Sequence, residues 1–517
     1  MVKEREAWTS KIGVILAVAG SAIGLGNFLR FPVKAASFGG GAFLIPYFIA
    51  LVLIGIPLAW IEWTLGRHGG GHGHGSAPGI LNSVIRRPWA KYLGSLGVLG
   101  PLLIYFYYIY IESWLLGFAW FSLAGDLMAA VNQNSVSTFF NDYISLRVMM
   151  FTRVPAALFF FILTFAVNFI IIFVGIRRGI EKINKIALPV ILILGLSLLV
   201  RVLTLPNIET GLGFMWNPDF SKLTSPRVWL EASGQVFFTL SVGIGCILTY
   251  ASFVKKKQDI ALSSLASCAT NTFAEVILGG TIVIPLAIVI YGAANIEEIA
   301  KMGTFGLGFN TMPIIFGHLP LGGLLQFIWF LLLSLAGITS SISLLQPPVS
   351  FLEDEMGLRK HSAVAVTSAV CFVMGMCAVF GLNYGLVDEL DFWGGTFSLV
   401  LFGAIEAVLF SWVLGVKKGW KGLMRGAEIK LPKFFRFVFQ YITPTYLIAI
   451  LIGWLITDGW GFITLSHIAP DERVTVFGLT ISKILFIAGF RTVLLVMLAV
   501  LNLVIFIAWR NKGQREG

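Results

Sequence analysis

Apolar stretches of about 20 residues recur from one end of the chain to the other, and this repetition constrains the fold more than any other feature. Each stretch is long enough to cross about 30 Å of hydrocarbon as a helix. Only 12% of the 517 residues are charged, about half the share in a soluble domain, so the composition also indicates a membrane protein. Twelve spans are predicted, near residues 11–36, 42–66, 90–122, 154–174, 180–200, 227–253, 261–291, 322–352, 362–382, 391–414, 441–465 and 482–509.

The gaps between the predicted spans leave no room for a soluble domain. The longest of them, residues 123–153, 293–321 and 415–440, have the length of loops. The sequence therefore predicts an all-α membrane protein that forms a single domain over residues 1–517 and has the lipid bilayer as its surroundings.

Lysine and arginine residues cluster in every second segment between the predicted spans, and the segments in between contain few. The clusters lie at residues 3–11, 67–91, 177–185, 255–257, 417–436 and 510–515. Because an excess of Lys and Arg marks cytoplasmic loops, both termini are predicted on the cytoplasmic side of an inner (plasma) membrane, which requires an even number of spans. The net charge of +11 is explained by these clusters, which orient the chain in the membrane. It therefore does not indicate a nucleic-acid partner.

Two predicted spans contain glycine and polar residues near their centres. Residues 19–27 read Ala-Gly-Ser-Ala-Ile-Gly-Leu-Gly-Asn, and residues 239–245 read Thr-Leu-Ser-Val-Gly-Ile-Gly. Glycine weakens a helix by about 1 kcal/mol relative to alanine, so both segments are predicted to unwind at the bilayer midplane. For Gly20 and Gly24, which are four residues apart, close helix packing is an alternative.

The two interrupted spans are the first and the sixth. Interruptions at corresponding places in two halves indicate a transporter with inverted repeats, here a 5+5 arrangement of residues 11–200 and 227–414 with two further helices in 441–509. A break near Leu25 presents free N–H groups that suit a carboxylate, while carbonyl groups near Ala22 and Ile23 suit a cation or an ammonium group. An amino acid carries both charges, so it is the substrate that the breaks predict.

Eight segments resemble motifs of the neurotransmitter:sodium symporter family and follow the same order along the chain. They are residues 20–32, 39–43, 61–63, 107–114, 234–241, 336–341, 351–355 and 391–393. The resemblance implies a symporter of twelve transmembrane helices, with helices 1 and 6 unwound, that imports a small neutral, hydrophobic amino acid with sodium by alternating access. The resemblance is compatible with a homodimer and does not decide the oligomeric state.

The resemblance implies two sodium sites that are built from oxygen atoms, the ligands that hard cations prefer. The first site has Ala22, Asn27, Thr239 and Asn271 together with the substrate carboxylate. The second site has Gly20, Ile23, Ala336, Thr339 and Ser340. The alternative for the hydroxyl groups is a hydrogen bond back to their own helix.

The resemblance also implies a substrate site between the two breaks. Its lining residues are Ala22, Leu25, Gly26, Ile104, Tyr108, Phe238, Thr239, Ser241, Ile244, Ser340 and Leu344. Relatives that carry amines without a carboxylate have aspartate at the position of Gly24, so glycine there favours an amino acid. Ile104 and Ile244 stand where leucine-carrying relatives have other residues. The sequence is therefore compatible with substrates that have either aliphatic or aromatic side chains.

Charged residues near the ends of spans resemble the gates of the family. The implied gates are Arg30 with Asp391 on the outside and Arg5 with Asp354 on the inside. The alternative outside is a static ion pair. The alternative inside is a set of solvated carboxylates, an interpretation that fits Glu353 and Glu355 better than Asp354.

Glu275 departs from chloride-dependent relatives, which have serine at its position. In those relatives an anion near the first sodium is held by groups that match Tyr47, Gln235, Thr239 and Asn271. A fixed carboxylate can balance sodium charge in a low-dielectric core as chloride does, and Glu275 lies on the same helix face as Asn271. The prediction is transport that does not depend on chloride.

The remaining polar groups are interpreted as structural. Glu62 and Glu112 are buried carboxylates without a catalytic companion. His68, His72 and His74 lie among glycines, which favours a flexible cytoplasmic loop over a metal site. An enzyme is not expected, because the sequence offers no nucleophile–base set, metal cluster or phosphate loop. The alternative function is a non-transporting amino-acid sensor on the same fold.

Overall fold

Helices make up most of the structure. The computed structural model describes residues 6–151, 153–476 and 478–516. Its helices are α1 (Lys11–Ala22), α2 (Gly26–Ser37), α3 (Gly41–Gly70), α4 (Ala77–Ile85), α5 (Ala90–Ala124), α6 (Asp126–Asn132), α7 (Val136–Ile144), α8 (Ala156–Val174), α9 (Ile176–Leu203), α10 (Ile208–Trp216), α11 (Pro226–Thr239), α12 (Cys246–Ser252), α13 (Ala261–Tyr291), α14 (Ile296–Lys301), α15 (303–317), α16 (Gly322–Asp354), α17 (Lys360–Tyr384), α18 (Leu386–Leu423), α19 (434–463) and α20 (Lys483–Glu516). Two antiparallel hairpins join β1 (Met149–Met150) to β2 (Val154–Pro155) and β3 (Arg473–Val476) to β4 (Leu479–Ser482).

Ten of these helices are long and apolar enough to cross a membrane, and the bent pair α1–α2 makes an eleventh span in the part of the chain that the structure describes. The ten are α3, α5, α8, α9, α13 and α16 to α20. The expected multi-pass helical membrane protein is confirmed. The predicted sixth span, residues 227–253, holds two short helices, α11 and α12, neither of which is long enough alone. A count of twelve spans stays a prediction.

The first interruption lies among the glycines of residues 20–26. Helix α1 ends at Ala22, Ile23 is extended, and α2 continues at an angle of 49° to α1. The Gly24 N–H donates to Asn27 Oδ1 at 2.9 Å, so a side chain supplies the acceptor that a continuous helix would have provided. Unwound backbone inside a membrane needs such an internal partner.

The second interruption separates α11 from α12. Ser241, Gly243 and Gly245 have positive φ angles of 53°, 75° and 93°. Three left-handed residues at alternate positions end a right-handed helix, and glycine adopts this conformation at the lowest cost. The Glu62 carboxylate of α3 accepts a hydrogen bond from the Gly243 N–H, which gives this buried carboxylate a structural partner. The depth of both interruptions in the bilayer stays a prediction.

The three long gaps between predicted spans contain helices as well as loops. Helices α6 and α7 lie in the first gap, α14 and α15 lie in the second, and α18 extends to Leu423 in the third. In α7, Val136, Phe140 and Tyr143 recur on one face and are buried. Such short amphipathic patterns are hard to recognise beside spans of about 20 apolar residues, so the sequence did not predict these helices.

Helices α5 and α16 pack against each other at the centre of the bundle. In the most apolar window of α5, 89% of residues are buried inside the protein. The share in α20 is 17%, so α20 lies at the periphery of the bundle. A polar network joins α5, α8 and α16, because the Asn168 amide donates to Glu112 Oε1 at 2.9 Å and accepts from the Ser341 hydroxyl at 2.6 Å. These bonds support the structural interpretation of Glu112.

A buried ion pair joins the N-terminal end of α18 to α20. The Arg491 guanidinium donates through Nε to Glu389 Oε2 at 2.7 Å and through a terminal nitrogen to Oε1 at 2.8 Å. The Trp393 indole N–H also donates to Oε2 at 3.0 Å. This two-pronged geometry attaches the peripheral helix to α18 at a defined position.

Arg491→Leu should destabilise the protein far more than Lys483→Leu. Glu389 is 3% exposed, and the loss of its cation leaves a buried carboxylate uncompensated. Such a loss costs about 3–5 kcal/mol. Lys483, the first residue of α20, pairs at 2.7 Å with Glu472, which precedes β3. Both side chains are partly exposed, and such a pair contributes about 0–1 kcal/mol. Thermal unfolding of the two purified variants measures the difference, and equal losses would contradict this account of the Arg491 pair.

Candidate functional site

The two interruptions meet, and hydroxyl groups join them. The Ser21 carbonyl, one residue before the end of α1, accepts hydrogen bonds from the hydroxyls of Ser241 at 3.1 Å and Ser340 at 3.2 Å. The family resemblance implies other partners for these hydroxyls, namely the substrate amine and a sodium ion. The sequence does not single out Ser21, because its contribution is a backbone oxygen.

Three residues implied for the first sodium site form one hydrogen-bonded cluster. Asn27 Nδ2 lies 2.8 Å from Asn271 Oδ1 and 3.2 Å from Thr239 Oγ1. Asn271 Nδ2 lies 3.1 Å from the same Thr239 hydroxyl. Each of the three residues is at most 2% exposed, and Ala22 ends the neighbouring helix α1. The cluster therefore concentrates amide and hydroxyl oxygens, the atoms that a sodium ion takes as ligands.

Glu275 lies against this cluster and is surrounded by hydrogen-bond donors. Gln235 donates to Oε1 at 2.6 Å, and the Tyr47 hydroxyl donates to Oε2. The Thr239 hydroxyl contacts the same carboxylate, which has no exposed surface. Asn271 precedes Glu275 by four residues on α13, so all the groups named for the anion position lie together. The role of Glu275 in place of chloride stays a prediction.

The residues implied for the second sodium site lie where α1 packs against α16. A Cβ added to Gly20 would lie 3.3 Å from the Thr339 Cβ, so the two residues are close neighbours. The Thr339 hydroxyl lies 3.1 Å from the carbonyl oxygens of both Leu335 and Ala336. In this structure it therefore adopts the alternative arrangement, a hydrogen bond back to its own helix.

Asn184 of α9 is a neighbour of this second site that sequence reasoning missed. It is fully buried, and its amide nitrogen donates to the Ile180 carbonyl at 2.9 Å. Its Oδ1 faces Gly20 and has no hydrogen-bond partner among the residues that the structure describes. An asparagine within the apolar span 180–200 was the signal that could have revealed it.

Two aromatic side chains approach the first interruption closely. The Leu25 N–H donates to the Tyr108 hydroxyl at 3.4 Å. A Cβ added to Gly24 would lie 3.0 Å from that hydroxyl, and a Cβ added to Gly26 would lie 2.9 Å from the Phe238 ring. Glycine at both positions therefore makes room for the rings beside the backbone.

The apolar residues implied for the substrate side chain come from three different elements. Ile104 lies on α5, Ile244 in the second interruption and Leu344 on α16, and they are 6%, 7% and 4% exposed. Buried apolar groups near a few polar atoms are typical of sites that bind small organic molecules.

The residues implied for the outer gate lie near the substrate site without pairing with each other. In the described ranges, Arg30 stacks over the Phe238 ring with its guanidinium carbon 4.0 Å from the ring centroid. The Tyr107 hydroxyl donates to Asp391 Oδ1 at 2.5 Å. Arg30 therefore covers the aromatic ring through a cation–π contact. The function of these residues as a gate stays a prediction.

Just after the C-terminal end of α16, one acidic residue is buried rather than solvated. Glu355 is 2% exposed, and its Oε1 lies 2.7 Å from His74 Nδ1, so its interpretation as a solvated carboxylate is wrong. Sequence reasoning missed the contact because the two residues are 281 positions apart. Asp354 is the last residue of α16, and Arg5, its implied partner, lies outside the described residues.

A family model, relatives in sequence and a solved structure all place this chain among proteins of one family. Residues 5–142 and 128–498 match the model of the sodium:neurotransmitter symporter family. An uncharacterized sodium-dependent transporter of Methanocaldococcus jannaschii is 29% identical over 489 residues, which cover 93% of this chain and 97% of that protein. Sodium-dependent nutrient amino acid transporter 1 of Drosophila melanogaster is 26% identical over 509 residues, which cover 88% and 78%. The crystal structure of MhsT in complex with L-phenylalanine has a TM-score of 0.74 and 28% identity, and the match covers 87% of this chain and 99% of MhsT.

Proposed function

Because the chain belongs to the sodium:neurotransmitter symporter family, we propose that it imports a small neutral, hydrophobic amino acid together with sodium ions. The observation that carries this proposal is the buried cluster of Asn27, Thr239 and Asn271, which lies beside the start of α2. Oxygen ligands for a cation and N–H donors for a carboxylate are then side by side. The name of the Drosophila relative and the phenylalanine in the MhsT structure support an amino acid as the substrate.

The substrate carboxylate would lie at the start of α2. The N–H groups of Leu25 and Gly26, the positive end of the helix dipole and the Tyr108 hydroxyl all suit a negative charge. The amine would lie on the opposite side, near the carbonyl oxygens of Ala22 and Phe238. Support comes from the 3.4 Å contact between the Leu25 N–H and the Tyr108 hydroxyl, which brings two of these donors together.

The substrate side chain would lie among Ile104, Ile244 and Leu344. A neutral polar side chain placed there would lose its hydration without a partner, at a cost of about 2–7 kcal/mol. A charged side chain would lose more. Aliphatic and aromatic amino acids both satisfy this condition. The structure of MhsT with L-phenylalanine supports keeping aromatic substrates in the set.

Two sodium ions would accompany each substrate molecule. The first would take oxygen atoms of Ala22, Asn27, Thr239 and Asn271 and the substrate carboxylate. The second would take Gly20, Ile23, Ala336, Thr339 and Ser340. Each sodium ion contributes about 2.3 kcal/mol from a potential of 100 mV and about 1.4 kcal/mol from a tenfold gradient. Two ions together supply roughly 7 kcal/mol, which corresponds to about 10⁵-fold accumulation of a zwitterion.

Alternating access would come from movement of two inverted repeats, residues 11–200 and 227–414, around the fixed site, with α19 and α20 outside the repeats. Arg30 and Asp391 would close the outer side, and Arg5 and Asp354 the inner side. The alternation of basic clusters supports both termini on the cytoplasmic side of the plasma membrane.

Transport would not depend on chloride, because Glu275 supplies the compensating negative charge. The donors Tyr47 and Gln235 hold this carboxylate beside the Thr239 hydroxyl, which belongs to the first sodium site. Sodium ions gathered in a low-dielectric core favour a nearby negative charge. A fixed carboxylate at this position therefore supports sodium binding without a mobile anion.

Uptake should require the hydroxyls of the second sodium site. In proteoliposomes with an inward sodium gradient, Thr339→Val with Ser340→Ala should reduce accumulation of a labelled hydrophobic amino acid to the level seen without a gradient, because two sodium ligands are lost. Ser334→Ala with Thr367→Val is the matched control, since both of these hydroxyls bond back to their own helices. Normal sodium-driven uptake by the first double variant would contradict the second site, and binding without accumulation by the wild type would indicate a sensor.

Gly24→Asp should abolish amino-acid binding at neutral pH. The new carboxylate would lie near the Tyr108 hydroxyl, where the substrate carboxylate is proposed to bind, and two like charges repel strongly in a low dielectric. Gly24→Ala is the control, because it adds the same Cβ at 3.0 Å from that hydroxyl without a charge. Equilibrium binding of a labelled amino acid separates the two effects. Binding by the aspartate variant within a few-fold of the alanine variant would exclude the proposed orientation.

Replacement of chloride by gluconate should leave wild-type uptake unchanged. Glu275→Ser should be nearly inactive without chloride and recover when chloride is added, because the smaller side chain leaves space and donors for an anion. Glu275→Gln keeps the volume but loses the charge, so chloride should not restore it. Uptake at several chloride concentrations tests all three proteins. A serine variant that is active without any halide would disprove the assignment of Glu275.

A further inference from the structure

A cavity of about 800 Å³ lies between the segment that follows α4 and the C-terminal end of α20. Four basic side chains line it, and they are Arg86, Arg87, Lys91 and Arg510. Phe506 and Trp509 contribute apolar surface to the lining, and no carboxylate lines the cavity among the residues described. The lining therefore combines a strongly basic group of side chains with apolar surface.

Lys91 is the least expected member of this lining. It is 7% exposed, and its ammonium group lies 5.2 Å from the centroids of the Tyr92 and Trp509 rings. Within the described residues it has neither a hydrogen bond nor an ion pair with a carboxylate. A buried ammonium group is costly unless it is paired, and cation–π contacts compensate only in part. An anion in the cavity would supply the missing partner.

The backbone before Lys91 turns so that two further arginines reach the cavity. Helix α4 ends at Ile85, and Arg86 adopts a left-handed conformation with φ of 54°. This conformation is uncommon for a residue with a side chain. The turn brings Arg86 and Arg87, both exposed, to the cavity beside Lys91. Three basic residues from one short segment thus face one space.

The position of the cavity relative to the membrane narrows the choice of anion. Helix α20 is apolar enough to span a membrane over Lys483–Asn511, so Phe506, Trp509 and Arg510 lie at the end of the span. Tryptophan and arginine at this level are typical of the zone of lipid headgroups. Basic pockets between transmembrane helices on the cytoplasmic side recognise anionic headgroups. We propose that this cavity binds the phosphate group of an anionic phospholipid, with the start of its acyl chains against Phe506 and Trp509.

A bound headgroup would connect two parts of the protein that share little surface. Helix α20 has 17% of its apolar window buried, the lowest share of the spans. Arg510 belongs to α20, while Arg86 and Arg87 belong to the segment between α4 and α5. One phosphate held by both would fasten the last helix to that segment by charge-assisted hydrogen bonds.

Lipid binding to the purified full-length protein tests this proposal. Short-chain dioctanoyl phosphatidylglycerol, dioctanoyl phosphatidylcholine and inorganic phosphate are titrated separately, and binding is followed by native mass spectrometry and thermal unfolding. We expect phosphatidylglycerol to bind and to raise the unfolding temperature, and the other two to do neither. Arg86→Gln with Arg87→Gln should weaken phosphatidylglycerol binding about thirtyfold, since each basic residue near an anionic headgroup contributes about fivefold.

The matched control is Arg177→Gln with Arg178→Gln, which removes two exposed charges from another basic cavity. That cavity also contains Glu181, which pairs with Lys185 at 2.7 Å, so it should not select an anion. Binding by the control within twofold of wild type supports the site. Equal weakening in both double variants would overturn it in favour of general attraction to a basic face. Equal binding of phosphatidylcholine, or of inorganic phosphate, would overturn the assignment to an anionic lipid.

Discussion

Every backbone polar group inside a membrane needs a partner within the protein, and the rest of this structure depends on how the two helix interruptions meet that requirement. The partners are Asn27 for the Gly24 N–H, Glu62 for the Gly243 N–H, and the hydroxyls of Ser241 and Ser340 for the Ser21 carbonyl. These side chains come from α2, α3, α16 and the second interruption. The helices that surround the candidate site are thus joined to it by the bonds that stabilise its unwound backbone.

The interruptions could be predicted from local sequence, whereas the site between them could not. Gly243 and Gly245 lie where φ is positive, and glycine is the residue that adopts this conformation most readily. Asn27 and Asn271 are 244 residues apart, and no local pattern connects them. Only the resemblance to a family brought them together before the structure did. Family membership is confirmed by the match over most of the chain, while the roles of the individual residues remain proposals.

Long-range polar contacts were the main feature that sequence reasoning missed. For Glu355 the solvated-carboxylate alternative was the better fit, yet the side chain is buried against His74. Asn184 faces Gly20 across the interface of α1 and α9, and its position became evident only from packing. In both cases the residue type was visible in the sequence, but burial and the identity of the partner depend on which helices become neighbours.

The N-terminal end of α18 is attached on two sides. Glu389 binds Arg491 of α20, and two residues later Asp391 accepts a hydrogen bond from Tyr107 of the central helix α5. Helix α20 is little buried by the rest of the chain, so its tilt would respond to the hydrophobic thickness of a surrounding bilayer. Uptake compared in vesicles of graded acyl-chain length would measure that response. Through one guanidinium group, the peripheral helix is therefore tied to the same helix end that the central helix holds at Asp391.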